Sequence, residues 1–320
     1  MVSELLSLPG AVAGSGADAG VAAHYGSFNV EQRTLASGEG FVDLSQREVF
    51  RVAGPDRLTW LHSLTSQAFE GLAPGVWVSA LILSPQGHIE HSFAGVDDGE
   101  AFTAWAEPGR GEALVGYLER MKFWSDVAVT AEPDLAVVWR PGSDDRGASA
   151  PSLEIGRTSF IPRDSLRAYV DAAGPACGFW AYEALRIERG EPRIFVDTDH
   201  RTIPNEIGLV GTHLDKGCYR GQETVARVHT LGRPPRRLVL LHLDGSENRL
   251  PEVGSPLVGV DGREVGFVGS SARHFELGPI ALGLVKRSVP VDAALTVDGM
   301  PVGQEMVVDP DVGLHVRPLR

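Results

Sequence analysis

The chain has 320 residues, 43% hydrophobic and 22% charged, and carries a formal net charge of −13 at pH 7. A chain of this length can bury a large core in two or three domains. So acidic a balance excludes a protein that coats nucleic acid, because that binding is driven by neutralising phosphates with Lys and Arg. Two cysteines, Cys177 and Cys218, are too few for a disulfide framework or a four-thiolate zinc site, so a reducing cytoplasm is the expected compartment.

The first 20 residues are rich in small side chains, have no basic n-region and read as a flexible tail. Their "GSGADA" matches a dinucleotide-binding glycine pattern in letters, but no strand is expected before it and no βαβ unit after it. No stretch of the chain approaches the roughly 18 consecutive apolar residues of a membrane span, and no membrane association is expected.

"FVDLSQREVFRVAG" reads as extended segments, with Arg51 between Phe50 and Val52. "GPDRLTWLHSLTSQAFEGL" follows as a helix, Pro55 suiting its first turn and Leu58, Leu61, Leu64 and Phe69 falling mostly on one face. "VWVSALILSPQGHIEHSFAGVDDGEAFTAWAE" gives three strands separated by turns at Ser84-Pro85-Gln86-Gly87 and Asp97-Asp98-Gly99. "GRGEALVGYLERMKFW" has Leu114, Tyr117, Leu118 and Met121 at helical spacing, and "DVAVTAE" closes the unit as a strand. The order β-α-β-β-β-α-β over residues 47–132 predicts a ferredoxin-like domain.

Arg140–Ser152 is polar and rich in Gly, Ser and Pro, which predicts a surface loop. "FWAYEALRIERGEPR" predicts a helix stopped by Gly190, with Pro192 just past it. From residue 236 to the C-terminus, short β-rich runs alternate with Gly, Pro and Asp, which predicts a small antiparallel barrel or sandwich.

Few motifs carry chemistry. His88 and His91 stand three apart, but in the strand after the Ser84–Gly87 turn they would face opposite sides, so no shared metal is expected. No hydrolase elbow or phosphate loop occurs, and Asp97 and Asp98 are explained by a hairpin turn.

"LDKGCYRGQETVARVHTLGRPPRR", Leu214 to Arg237, is different. Gly217 and Gly221 permit a tight loop leading into a helix. Ahead of that helix, with Lys216 and Arg220 beside it, Cys218 is either a thiol whose thiolate is favoured or a buried small residue. Arg227, His229, Arg233, Arg236 and Arg237 form a basic stripe, either solvated or suited to capturing carboxylates and phosphates. Cys177, in "GPACGFW", has no basic neighbours and reads as structural.

The string "KGCYRGQETVAR" resembles the K-G-C-[FY]-x-G-Q-E signature of the YgfZ-type folate-binding proteins, relatives of the aminomethyltransferase of the glycine cleavage system. "LHSLTSQAFEGLAPGVWVSALILSPQGHI" and "EALRIERGEPR…TIPNEIGL" are similar to further family segments, so only the N-terminal tail and the Arg140–Ser152 loop fall outside the likeness. The resemblance implies an α+β, three-domain, aminomethyltransferase-like fold. Its parts would be a discontinuous α/β folate-binding domain (21–46 plus 133–235), an inserted ferredoxin-like domain (47–132), a C-terminal β-barrel (236–320) and a tail (1–20).

It also implies tetrahydrofolate or a one-carbon derivative as cofactor. Glu188 would contact the pterin, unless it is merely a helix-end charge; Arg237 and Arg227 would face the glutamate tail, and Lys216 and Tyr219 would complete the site around Cys218. Where the aminomethyltransferase has its acid/base aspartates, this chain has His91 and Ser92, with Glu90 one step off and turned to the other face of the strand. Serine cannot supply carboxylate chemistry, so the implied function is that of an accessory factor for iron–sulfur cluster assembly or repair, with linked effects on tRNA modification. Its partners would be a reduced folate and iron–sulfur assembly proteins or client enzymes, without direct nucleic-acid binding. The alternatives are an aminomethyltransferase-like enzyme and a non-catalytic folate-binding scaffold.

Overall fold

The computed structural model describes residues 2–142 and 157–316. In chain order its strands and helices begin with β1 (Val12–Ala13), β2 (Ala22–His24), α1 (Phe28–Ala36) and β3 (Phe41–Asp43). Then come β4 (Glu48–Ala53), α2 (Arg57–Leu64), β5 (Trp77–Leu83), β6 (Ile89–Asp97), β7 (Ala101–Ala106), α3 (Gly111–Arg120) and β8 (Ala128–Ala131). They are followed by β9 (Leu135–Arg140), β10 (Arg157–Pro162), α4 (Leu166–Ala173), β11 (Ala176–Cys177), α5 (Phe179–Glu188) and α6 (Gln222–Leu231). The last six strands are β12 (Arg236–Leu243), β13 (Pro256–Gly259), β14 (Glu264–His274), β15 (Gly278–Lys286), β16 (Leu295–Val297) and β17 (Met300–Met306).

The fold class is the expected one. β4 to β8 with α2 and α3 run β-α-β-β-β-α-β and form one five-stranded sheet in the order β5-β6-β7-β4-β8. Phe50, Val52, Phe93 and Phe102 from the sheet, Trp60 and Leu61 from α2, and Leu114 and Leu118 from α3 share one buried cluster. Phe69 joins that cluster from beyond the end of α2, since the helix stops at Leu64. A separate four-stranded sheet, β10-β9-β3-β11, takes strands from both sides of this insertion, so it is discontinuous in sequence.

The C-terminal strands close into a barrel in the order β12-β15-β14-β13-β16-β17, with β12 pairing antiparallel to both β15 and β17. Closure leaves no unpaired edge for another chain to add to. The chain divides into two compact units. One is Met1–Ile82, His91–Tyr182 and Gly211–Tyr219; the other is Leu83–Glu90, Glu183–Val210 and Arg220–Arg320.

Two expectations need comment. The first 20 residues are not a loose tail. Residues Glu4–Ser7 form a 3-10 turn capped by Ser3, whose hydroxyl also donates to the buried Asp43 carboxylate. Leu5 is fully buried with Phe41, Ala136, Val138 and Leu166. "GSGADA" lies in the connection between β1 and β2, so a two-residue strand does precede it, and it opens only a three-residue 3-10 turn, Gly16–Asp18. The small residues that suggested disorder allow this close winding. Of the Arg140–Ser152 loop, Arg140 ends β9, and everything after Gly142 lies outside the described residues.

Because Leu5 plugs the core beneath β3 and β9, Leu5→Ala is expected to lower stability by about 2–4 kcal/mol, read from urea unfolding. A change within a few tenths of a kcal/mol would return the segment to the status of a tail.

Candidate functional site

The signature loop runs without regular structure until α6 begins at Gln222. Gly221, the residue before that helix, has φ 82°, and a Cβ there would stand 2.5 Å from the Ser84 carbonyl oxygen. Gly87 in the Ser84–Gly87 turn answers it, since a Cβ at that position would come within 2.8 Å of Thr224. These two glycines let α6 start flush against the turn. Gly217 has no such need: a Cβ there would find only His62 Nε2, at 3.8 Å.

Cys218 is exposed. It lies four residues before α6, not at the helix N-terminus, and the two cations beside it in sequence are committed elsewhere. Lys216 donates to the carbonyls of His62, Thr65 (2.6 Å) and Gln67 (3.2 Å), and so caps the C-terminus of α2. Helix ends leave several carbonyls without intrahelical donors, and an ammonium satisfies them while meeting the negative end of the dipole. Burial pushes the Lys216 amine down to about 8. Its ammonium also lies 4.9 Å from the centre of the Tyr219 ring, whose phenol is pushed up to about 12 by burial. Arg220 pairs with Glu90 at 3.0 Å. The thiol is therefore presented by a braced loop whose two cations serve other partners.

The other expected binding residues divide. Glu188 is the last residue of α5, where Gly190 (φ 71°) stops the helix. Its carboxylate is 41% exposed and lies 3.3 Å from Nε2 of His274, a side chain with no exposed surface. That contact holds the Glu188 carboxyl below the usual range. Arg227 is exposed on α6.

Arg237 is not placed to meet a ligand. It is fully buried, donating to the Lys286 carbonyl (3.2 Å) and to Gln304 Oε1 (2.9 Å). Arg236 is held by Asp199 at 2.7 Å and Glu206 at 2.8 Å. The expected basic stripe thus loses two members to structure, because adjacent strand residues point to opposite faces and each here found partners.

His88 lies in the turn before β6 rather than in the strand, and the His91 ring packs 5.2 Å from Tyr117. Ser92 is buried, and Asp97 makes a two-pronged ion pair with Arg57 (2.7 and 2.8 Å). Cys177 is buried in β11 with its thiol pushed up to about 12 by burial. Among the described residues, no three or more His, Cys, Asp or Glu side chains are grouped to hold a metal ion. Nor is any helix among them long and apolar enough to cross a membrane.

No protein-family model matches the chain. It is 26% identical over 292 residues to a chloroplastic protein of Arabidopsis thaliana named as a transferase, covering 76% of this chain and 66% of that one. It is 36% identical over 142 residues to the tRNA-modifying protein YgfZ of Escherichia coli, covering 42% of this chain and 40% of YgfZ. Among solved structures it matches the glycine cleavage system aminomethyltransferase T of Bartonella henselae with a TM-score of 0.79 over 97% of both chains, at 18% identity. The chain is therefore similar to YgfZ over part of its length and shares the fold of the aminomethyltransferase. It spans less than two thirds of the length of either sequence relative.

One functional-looking cluster had escaped the sequence. Arg186 is buried and bonds to both carboxylate oxygens of Glu183 (2.6 and 2.7 Å), to Asp197 (3.0 Å) and to Ser270 (2.6 Å). The Glu183–Arg186 spacing of three was visible, but Asp197 and Ser270 are distant in sequence. Of the signature's own side chains, Lys216 has the most testable structural task. Lys216→Met removes the ammonium from three carbonyls, of which Gln67 keeps the Thr65 hydroxyl at 3.3 Å, and is expected to cost about 1–3 kcal/mol of stability in urea unfolding. An unchanged midpoint would show that water replaces the cap.

Proposed function

We propose that this protein binds a reduced folate and serves as an accessory factor in the assembly or repair of iron–sulfur clusters, with tRNA modification depending on it, and that Cys218 is its reacting group. The observation that carries this reading is the exposed thiol in an intact "KGCYRGQE" string, on a loop braced by the Lys216 cap. A thiolate is a ligand for iron and a carrier of sulfur, and exposure gives a partner protein access to it. The tRNA-modifying relative supports the downstream link.

The residues present fit a folate in part. Glu188 offers an accessible carboxylate that stays ionised, the acceptor that the N–H groups of an aminopyrimidine edge require, and the exposed Arg227 suits the glutamate tail. Lys216 and Arg237 do not fit, because the Lys216 ammonium serves the protein's own carbonyls and Arg237 is fully buried against Lys286 and Gln304. Bound folate would supply one-carbon chemistry; the chain's own contribution is to recognise the ring through Glu188 and to present sulfur through Cys218.

Aminomethyl transfer is the less favoured reading. β6 carries His91 and a buried Ser92 where that chemistry needs a carboxylate, and Glu90 is committed to Arg220.

Cys218→Ala is expected to keep the fold and the affinity for reduced folate, yet fail to restore iron–sulfur enzyme activity in cells lacking the protein. Full rescue by this variant would remove Cys218 from the mechanism and favour a folate-binding scaffold. Turnover of a methylamine-loaded lipoyl carrier with tetrahydrofolate would instead revive the transferase.

A further inference from the structure

Glu188 is not an isolated helix-end charge; the end of β14 is built around it. His274, the last residue of that strand, has a fully buried side chain, and its Nδ1 accepts the backbone N–H groups of Glu276 (3.2 Å) and Leu277 (3.1 Å). Backbone amides only donate, so Nδ1 carries no hydrogen and the ring proton sits on Nε2. Nε2 is the atom 3.3 Å from Glu188 Oε2. Its N–H is not aligned on that oxygen, so this is a close approach rather than a finished hydrogen bond. A buried N–H without an aligned acceptor is costly, and a small rotation of the half-exposed Glu188 side chain would align the two. The neighbouring Arg189 reaches both oxygens of Glu191 at 3.1 Å, and its pull on the Glu188 carboxyl ranks behind that of His274.

We propose that His274 is a positioning residue, its Nε2–H steering the Glu188 carboxylate into the orientation in which it accepts two adjacent N–H donors of a ligand. The ring acts as a neutral donor from within the protein, while the carboxylate faces solvent. Such a pair suits an amidine-like edge, as in a 2-aminopyrimidinone, and disfavours an edge of carbonyl acceptors. The assignment rests on the reading of Glu188 as the folate contact, but its first readout does not involve folate.

The test uses the full chain with His274→Leu, which removes the donor, and His274→Gln, which can place an amide N–H near the Nε2 position. The Glu188 carboxyl is titrated by carbon-13 NMR, and 5-formyltetrahydrofolate binding is measured by calorimetry. In H274L the carboxyl should titrate at higher pH than in the wild type and affinity should fall about tenfold, the loss of one hydrogen bond to a charged group. H274Q should recover most of both.

A Glu188 titration unchanged in H274L overturns the proposal, whatever folate does. Should H274L fail to fold, H274Q decides: a near-wild-type titration and affinity support the assignment, and a carboxyl titrating like an ordinary surface glutamate overturns it. Undiminished folate affinity in Glu188→Ala would defeat the folate reading while leaving the His274–Glu188 coupling to be judged by the titration.

Discussion

The buried guanidinium of Arg186 is the constraint on which the second unit depends. From the last turn of its helix it bonds at once to Glu183, to Asp197 and to Ser270 of the barrel strand β14. Asp197 Oδ1 in turn accepts both the backbone N–H and the hydroxyl of Ser270, at 2.6 Å each. A Cβ at Gly269 would stand 2.2 Å from that same oxygen, so the strand approaches the carboxylate closely only because the residue is glycine. Charges removed from water cost several kcal/mol each unless paired and hydrogen-bonded, and here every oxygen of Asp197 has a partner. The geometric consequence is larger than the energetic one. Once Arg186 is fixed to Ser270, Glu188 two residues along the helix and His274 four along the strand are brought within reach.

The same economy governs the other cations that the sequence made conspicuous. Lys216 closes a helix, Arg236 binds two carboxylates and Arg237 fills a place in the barrel wall. Positive charge near a cysteine therefore does not identify an anion site by itself. A guanidinium or ammonium carries several donors, and a folded chain rich in exposed carbonyl ends and carboxylates uses them first. What is left at the surface, including the Cys218 thiol, Arg227 and Arg233, is what a partner or ligand can reach.

Legibility followed the range of the signal. The β-α-β-β-β-α-β order and all six barrel strands were readable because each rests on local periodicity and turn residues. The place of Arg237 was readable too, in principle. Val239, Leu241 and Leu243 belong to the barrel's buried cluster, and a period of two puts Arg237 on their face and Arg236 on the opposite one. The N-terminal segment was not legible, since its place depends on one residue, Leu5, meeting β3 and β9 far along the chain, among small residues that look like filler. His274 was hidden for a different reason: its role follows from the two amides on Nδ1, which only the bend after β14 supplies.

The chemistry then divides along the chain. The first unit carries Cys218; the second carries Glu188, His274 and Arg227. On the proposed reading, recognition of the folate and an acid/base step on it would need carboxylates of two kinds, one that only accepts hydrogen bonds and one that exchanges a proton. Glu188, drawn toward a buried N–H donor, is suited to the first task and poorly suited to the second, because the contact holds it ionised. In β6, His91 is followed by a buried Ser92, and the strand's carboxylates Glu90 and Asp97 are paired with Arg220 and Arg57. Under the proposed function, a carboxylate that recognises without exchanging a proton would leave folate as something to hold, with the exposed Cys218 thiol as the reacting group.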